Sequence, residues 1–303
     1  MALQPQTLGD WLRRAEKLYA RHKVALGQVA TSAHDEALYL LLHTLGLPLE
    51  SKAAVLRRKL TAEENERVTE IFRRRLEDHV PAAYLTREAW LGEHRFYVDE
   101  RVIIPRSYFL EIIPEQLPQW LPEKKPVKRV VDVCTGSGCL AILLAHQFPD
   151  AKVDAIELSP EAMAVAKFNI ATHQLAKRIK LHHSDVFDAV RPVKYDIILS
   201  NPPYVPTREL RGLPEEFKNE PQMALDGGQD GLVIIRKLLQ QSVERLQPHG
   251  IVVLEVGGLR MAMDKAFPEL DLHWLHTGDG EDCVCLVQAA HLKKWGHKRV
   301  NDA

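Results

Sequence analysis

Cysteine is scarce. Four occur in 303 residues, Cys134, Cys139, Cys283 and Cys285, without paired CxxC spacing and without histidines at ligand distance. A zinc site is therefore not expected, and reduced thiols in a cytosolic protein are. Long apolar runs are missing as well. Residues 1–14 hold no stretch of signal-peptide length, and the runs at 38–42 and 140–145 fall far short of the roughly 20 residues that cross a bilayer. The expectation is a cytoplasmic protein with no membrane attachment. Nor is either charge in excess: 40 Lys+Arg face 41 Asp+Glu. No global basic field draws the chain to nucleic acid, so stable nucleic-acid binding is not expected. What remains is 46% hydrophobic and 27% charged, an ordinary globular composition, at a length that suggests two domains, one of them small.

Residues 1–83 read as a helical domain. Leu8, Trp11, Leu12, Ala15, Leu18 and Tyr19 recur at helical spacing, and Ser32 with Asp35 and Thr61 with Glu64 look like capping boxes. Val68, Ile71, Phe72 and Leu76 form one apolar stripe before Pro81. Residues 84–104, with Trp90-Leu91-Gly92 and Phe96-Tyr97-Val98, read as a connecting β-hairpin. From 105 to 303 short β-rich runs at 130–134, 153–157, 179–182, 195–200 and 251–256 alternate with helical patterns at 139–148, 160–172 and 232–246. Such alternation gives an α/β domain, a parallel sheet covered on both faces by helices. The runs at 272–275 and 283–287 read as an antiparallel hairpin at its edge.

Where the first strand gives way to a helix the chain reads Asp132-Val133-Cys134-Thr135-Gly136-Ser137-Gly138-Cys139. That is where such sheets bind nucleotides, and Gly136 and Gly138 allow a sharp turn close to a ligand. Glu157 ends the next strand and can take both ribose hydroxyls. Alone this fits a dinucleotide fingerprint with Ala141 in the third position. Asp132 argues otherwise: a carboxylate there repels a pyrophosphate and favours a ligand carrying an amino group and a sulfonium, which is S-adenosylmethionine. Asp185 after the third strand is placed to accept from an adenine amino group, with Val186 beside the ring. Taken singly, Asp132 and Asp185 also suit plain strand-end solvation.

The fourth strand ends in Asn201-Pro202-Pro203-Tyr204. Two prolines stop a strand stiffly and bring no N–H. The Asn201 side-chain oxygen and the Pro202 carbonyl can then hold the two hydrogens of a planar NH₂ group. Such a nitrogen has a delocalised lone pair and needs that orientation to attack a methyl donor. Tyr204 either covers the flat target group or simply packs.

Asp132 to Gly138, Glu157, Ser184-Asp185, Ser200 to Val205, Glu220-Pro221-Gln222-Met223-Ala224-Leu225 and Gly227-Gly228-Gln229-Asp230-Gly231, in that order, resemble the protein-glutamine side-chain amide methyltransferases, the HemK-like family. Tyr84-Leu85-Thr86, Trp90 and Ile104-Pro105-Arg106 are similar to that family's hairpin and junction. The resemblance implies a class I methyltransferase domain with a Rossmann-like seven-stranded sheet, S-adenosylmethionine as donor and a glutamine of a translation protein as acceptor. It implies cofactor roles for Gly136, Gly138, Glu157 and Asn201, beside which Thr135 and Ser137 of the loop are cofactor-binding candidates, and substrate or catalytic roles for Asn201, Pro202, Pro203 and Tyr204. Two positions depart from it: Val186, where some members have Trp, and Asp282-Cys283, where many have Asp-Arg.

One branch of the family acts on release factors and another on ribosomal protein L-three. Ser107-Tyr108-Phe109-Leu110-Glu111 after Pro105-Arg106 looks like the ribosomal branch. The partner implied is then ribosomal protein L-three, free or in an early assembly intermediate. The rivals are an adenine-amino nucleic-acid methyltransferase, which shares the Asn-Pro-Pro-Tyr element, and a non-catalytic assembly module. Against the first, residues 207–231 carry six acids and three bases, a balance that disfavours phosphate. For the second, the basic runs Arg57-Arg58-Lys59, Arg73-Arg74-Arg75 and Lys293-Lys294 to Lys298-Arg299 offer RNA contacts or, more plainly, solvated helix faces.

Overall fold

A computed structural model describes residues 7–26 and 30–301, with side chains as far as Gly296. Helices α1 (Leu8–His22), α2 (Ala33–Thr44) and α3 (Ala62–Leu76) open the chain. Thr7 with Asp10 and Thr61 with Glu64 form reciprocal capping boxes at α1 and α3, while Ser32 accepts from the Asp35 N–H at α2. Leu8, Trp11, Leu12, Leu40, Leu41, Val68 and Phe72 form a core of their own, with Trp11 stacked on Phe72 at 5.9 Å. A short helix α4 (Ala82–Thr86) occupies the start of the expected hairpin. The hairpin itself is β1 (Glu88–Leu91) and β2 (His94–Tyr97), turning at Gly92. Its Ala89, Leu91 and Phe96 join the apolar cluster over the main sheet rather than that of α1–α3.

Next come α5 (Phe109–Glu115), β3 (Arg129–Val133), α6 (Cys139–Gln147), β4 (Lys152–Glu157), α7 (Pro160–Thr172), β5 (Ile179–His183), β6 (Tyr195–Ser200), α8 (Val233–Ser242), β7 (Leu246–Glu255), α9 (Arg260–Ala266), β8 (His273–Thr277), β9 (Gly280–Gln288) and α10 (Ala289–Asn301). The sheet order is β5-β4-β3-β6-β7-β9-β8, with β9 antiparallel to both neighbours. Ile197, Leu199, Ile251 and Val253 face one apolar cluster and Ile198, Val252 and Leu254 the other, so alternate side chains of the central strands feed two cores. The parallel strands covered by helices are what the alternation of elements predicts, and the seven-stranded order is what the resemblance implies. β7 begins earlier than expected because its pairing with β6 jumps from Tyr195↔Leu246 to Ile197↔Ile251, leaving Gln247 to Gly250 to bulge around Pro248. The order reverses between β3 and β4 on one side and β6 on the other, which opens the crevice at the strands' C-terminal ends. Among the described residues no helix is long and apolar enough to cross a membrane. Cys134, Cys139, Cys283 and Cys285 are free thiols, Cys139 and Cys285 buried.

Candidate functional site

A cavity of about 630 Å³ fills that crevice. Thr135, Gly136 and Ser137 from the β3–α6 loop, Glu157 at the end of β4, and Asp185 and Val186 after β5 line one part of it; Asn201, Pro202, Pro203 and Tyr204 line another. Two of the expected residues stand behind the wall rather than on it. Gly138, at φ +83°, starts α6 where a Cβ would press on Ala166 of α7 at 3.3 Å, so its bareness serves the packing of two helices. Asp132 is fully buried under the loop, where its Oδ2 accepts from the Thr135 hydroxyl at 2.5 Å and the Ala141 N–H at 3.0 Å. Its Oδ1 has no protein partner. Burial pushes this carboxyl up to about 7.

Glu157 organises the loop. Its Oε2 accepts from the Gly136 N–H at 2.8 Å and its Oε1 from the Leu158 and Ser159 N–H groups at 2.9 Å each. Behind it Asn169 of α7 donates to the carbonyls of Ser137 at 2.9 Å and Tyr97 at 3.0 Å and accepts from the Tyr97 N–H, tying glycine loop to hairpin. Asp185 sits half exposed, its carboxylate 2.7 Å from Lys237 of α8. Cys134 and Val186 hold positive φ, 63° and 53°. For a β-branched residue that is a strained conformation, and it lies on the cavity wall.

At the other side the Asn201 Nδ2 donates to Glu255 Oε1 at 2.9 Å. Glu255, the last residue of β7, also accepts through Oε2 from the Ser107 hydroxyl at 2.5 Å and the Tyr108 N–H at 3.1 Å. Burial pushes its carboxyl up to about 7 against these bonds and Arg106. Among the described residues no donor reaches the Pro202 carbonyl. The Tyr204 ring packs on Gly257, and burial followed by the nearness of Glu255 pushes its phenol up to about 12. Glu255 was legible by the same sign as Glu157, a carboxylate closing a strand beside the site, yet the motif reading passes over it.

The two terminal motifs of the resemblance hold the Asn-Pro-Pro-Tyr turn in place. Glu220 clamps Arg106 through two contacts, at 2.8 and 3.0 Å. The segment 225–228 runs beside the residues after Tyr204, with bonds from Val205 N to Leu225 O and from Gly227 N to Val205 O. Gly227 and Gly231 lie so close to Tyr204 that a Cβ on Gly227 would sit 2.7 Å from its Cα.

The charge expected of residues 207–231 is largely consumed inside the molecule. Glu216 meets Arg75 at 3.2 Å, Glu220 meets Arg106, and Asp230 pairs with Arg236. In the basic run at 73–75 Arg73 is exposed, as a solvated face requires, but Arg75 is fully buried against Glu36 at 2.6 Å and Glu216. Arg58 pairs with Glu64, and Arg73 with Glu70 and Asp78. The side chains of Lys298 and Arg299 lie outside the described residues. At the second departure Asp282 pairs with Arg260 and the Cys283 carbonyl accepts from the Val256 N–H at 2.8 Å. Among the described residues two groups of possible metal ligands, His94, His146 and His173, and Asp271, His273 and His291, lie away from the cavity.

Compared with known proteins, residues 114–243 match the methyltransferase small domain family. The chain is 44% identical over 286 residues to a ribosomal protein uL3 glutamine methyltransferase of Neisseria gonorrhoeae, covering 94% of this chain and 95% of that one. It is 43% identical over 294 residues to the protein of the same description from Burkholderia pseudomallei, covering 95% and 96%. Among solved structures the hMettl16 catalytic domain in complex with the MAT2A 3′UTR hairpin 1 superposes with a TM-score of 0.51 at 16% identity, over 84% of this chain and 91% of that one. At that identity the likeness concerns the fold.

Proposed function

Since this chain belongs to the family of ribosomal protein uL3 glutamine methyltransferases, we propose how its cavity carries out methyl transfer to a glutamine side-chain amide and which form of substrate it takes. S-adenosylmethionine, the donor, supplies a sulfonium methyl group open to attack by nitrogen. The residues present fit it. The orphaned Asp132 Oδ1 leaves an unbalanced acidic group directly behind the loop, which a ligand with cationic amino and sulfonium centres offsets and a pyrophosphate does not. Thr135, Gly136 and Ser137 form the wall at that point, and Gly138 and Asp132 support it from behind. Glu157 exchanges part of its main-chain bonding for the ribose hydroxyls, Asp185 takes the adenine amino group, and Val186 lies against the ring.

Asn201 Oδ1 and the Pro202 carbonyl accept the two hydrogens of the substrate amide and turn its lone pair toward the methyl group, while Pro203 stiffens the turn and Tyr204 covers the amide plane. As the N–CH₃ bond forms and the S–CH₃ bond breaks, with a neutral thioether leaving, positive charge gathers on nitrogen and both acceptors strengthen. One N–H proton then leaves to solvent, so no strong base is needed. The observation that carries this reading is that Glu157 and the Asn201–Tyr204 turn line different parts of one cavity.

The substrate is uL3, free or in an early assembly intermediate, because its glutamine must reach Asn201 before RNA covers it. Residues 1–83 form a substrate-recognition domain, supported by their separate core, with 84–104 as connector and 105–303 as the methyltransferase domain. The reaction takes place in the cytoplasm without stable nucleic-acid binding. Labelled S-adenosylmethionine offered with free uL3, intact ribosomes, release factors and DNA in parallel tests this. Label is expected on a glutamine of free uL3. Label on release factors and none on uL3 overturns the substrate, and label on DNA overturns the acceptor chemistry as well.

A further inference from the structure

An asparagine side chain is nearly symmetric in shape, with an acceptor at one end and a donor at the other, and only its neighbours decide which end faces a ligand. At Asn201 the decision belongs to Glu255. Its Oε1 takes the Asn201 NH₂ at 2.9 Å, which directs Oδ1 to the opposite side. The carboxylate is itself held from two directions, through the Ser107 hydroxyl and the Tyr108 N–H on Oε2. It ends β7, and the β6–β7 ladder reaches Ser200↔Leu254, so Asn201 and Glu255 are the next residues along paired strands. Only 3% of Glu255 is exposed, which keeps water from competing for the Asn201 amide.

We infer that Glu255 is a positioning residue, which fixes the acceptor end of the Asn201 amide toward the substrate. The inference rests on the reading that Asn201 Oδ1 accepts from the glutamine amide. Glu255 touches neither donor nor acceptor in this account; it acts through Asn201 alone. Ser107 and Tyr108 extend the arrangement to the segment that opens α5, so the polarity of the reacting turn is set from a part of the chain about a hundred residues upstream.

Glu255→Gln separates this role from simple filling of space, because it keeps the shape and removes one acceptor. The Tyr108 N–H can only donate, so the glutamine oxygen stays at that end and its NH₂ meets Asn201. Asn201 must then turn its own oxygen inward and present a donor to the substrate. The expected result is a fall in kcat for methyl transfer to purified uL3 of about 10²–10³, comparable to the loss of one oriented polar contact at a reacting centre, with S-adenosylmethionine affinity by calorimetry unchanged.

The double variant Asn201→Asp with Glu255→Gln exchanges acid and amide across the pair and restores an acceptor toward the substrate. It is expected to recover kcat by about tenfold over E255Q, the scale of one restored hydrogen bond. If E255Q does not fold well enough to purify, N201D against the double variant decides the same point: N201D alone sets two acids side by side and must be the slower. Wild-type kcat in folded E255Q, or a double variant no faster than its singles, overturns the inference. Asn201→Ala tells this apart from failure of the underlying reading. An active N201A removes that reading; an inactive N201A beside an active E255Q removes only the role of Glu255.

Discussion

Glu157 accepts three main-chain N–H groups in the region proposed to receive the ribose, so on that reading Glu157→Ala removes a charged ligand partner and loosens the loop together. A hydrogen bond to a charged group is worth about 1.5–3 kcal/mol, and S-adenosylmethionine affinity measured by calorimetric titration is expected to fall about 10- to 100-fold; unchanged affinity sinks the assignment. Asn201→Ala acts on the other half of the reaction. Single-turnover methyl transfer is expected to slow by about 10²–10³, far more than cofactor affinity weakens, because the lost contact to the substrate amide strengthens as charge develops on it. Asp132 offers a test by pH. Burial holds its folded pKa near 7, above an unfolded value of about 3.9. A carboxyl raised in this way favours the fold most below its unfolded pKa, and that contribution is lost as pH rises through the folded one. Melting temperature is therefore expected to fall between pH 5 and pH 8 more steeply in the wild type than in Asp132→Asn, and parallel slopes would disprove it.

At the scale of elements, the loops that carry the site are held by backbone closeness. Gly231, at φ +79°, lies against the Tyr204 carbonyl with no room for a Cβ. Gly231→Ala is expected to cost about 1–2 kcal/mol in backbone strain and, by displacing the Asn-Pro-Pro-Tyr turn, to lower kcat with little change in cofactor affinity; a stability loss with kcat intact would confine the glycine to folding. Much of this layer is legible in the sequence, since the strands, the glycine loop, Glu157 and the proline turn each announce themselves within ten residues or so. What is not legible depends on distant partners. Arg75 reads as one of three exposed arginines, but Glu36 and Glu216 converge on it from 39 and 141 residues away. Asp132 reads as a carboxylate near the loop, but the Thr135 hydroxyl and the first turn of α6 that hold its Oδ2 are not announced by the motif. The β6–β7 bulge escapes notice because Pro248 argues against a strand that in fact passes around it.

Across the whole molecule, Arg75 joins α3 to α2 and, through Glu216, to the segment beside the cavity. Arg75→Ala leaves two carboxylates buried without their cation, and chemical denaturation is expected to show a loss of about 3–5 kcal/mol; a loss below about 1 kcal/mol would mean that water reaches the pair, as at exposed ion pairs. The sheet order has a consequence for how the protein comes into being. Strand β8 touches the sheet only through β9, which follows it in the chain and lies between it and β7. During synthesis, at about 5–20 residues per second, the ordinary rule that each new strand adds beside a finished one therefore breaks at this point. From the time β7 is made until residues 280–288 arrive, β7 offers an open row of N–H and C=O groups, and β8 has nowhere to dock. During that interval the nascent chain is open to pairing with a neighbour instead of itself.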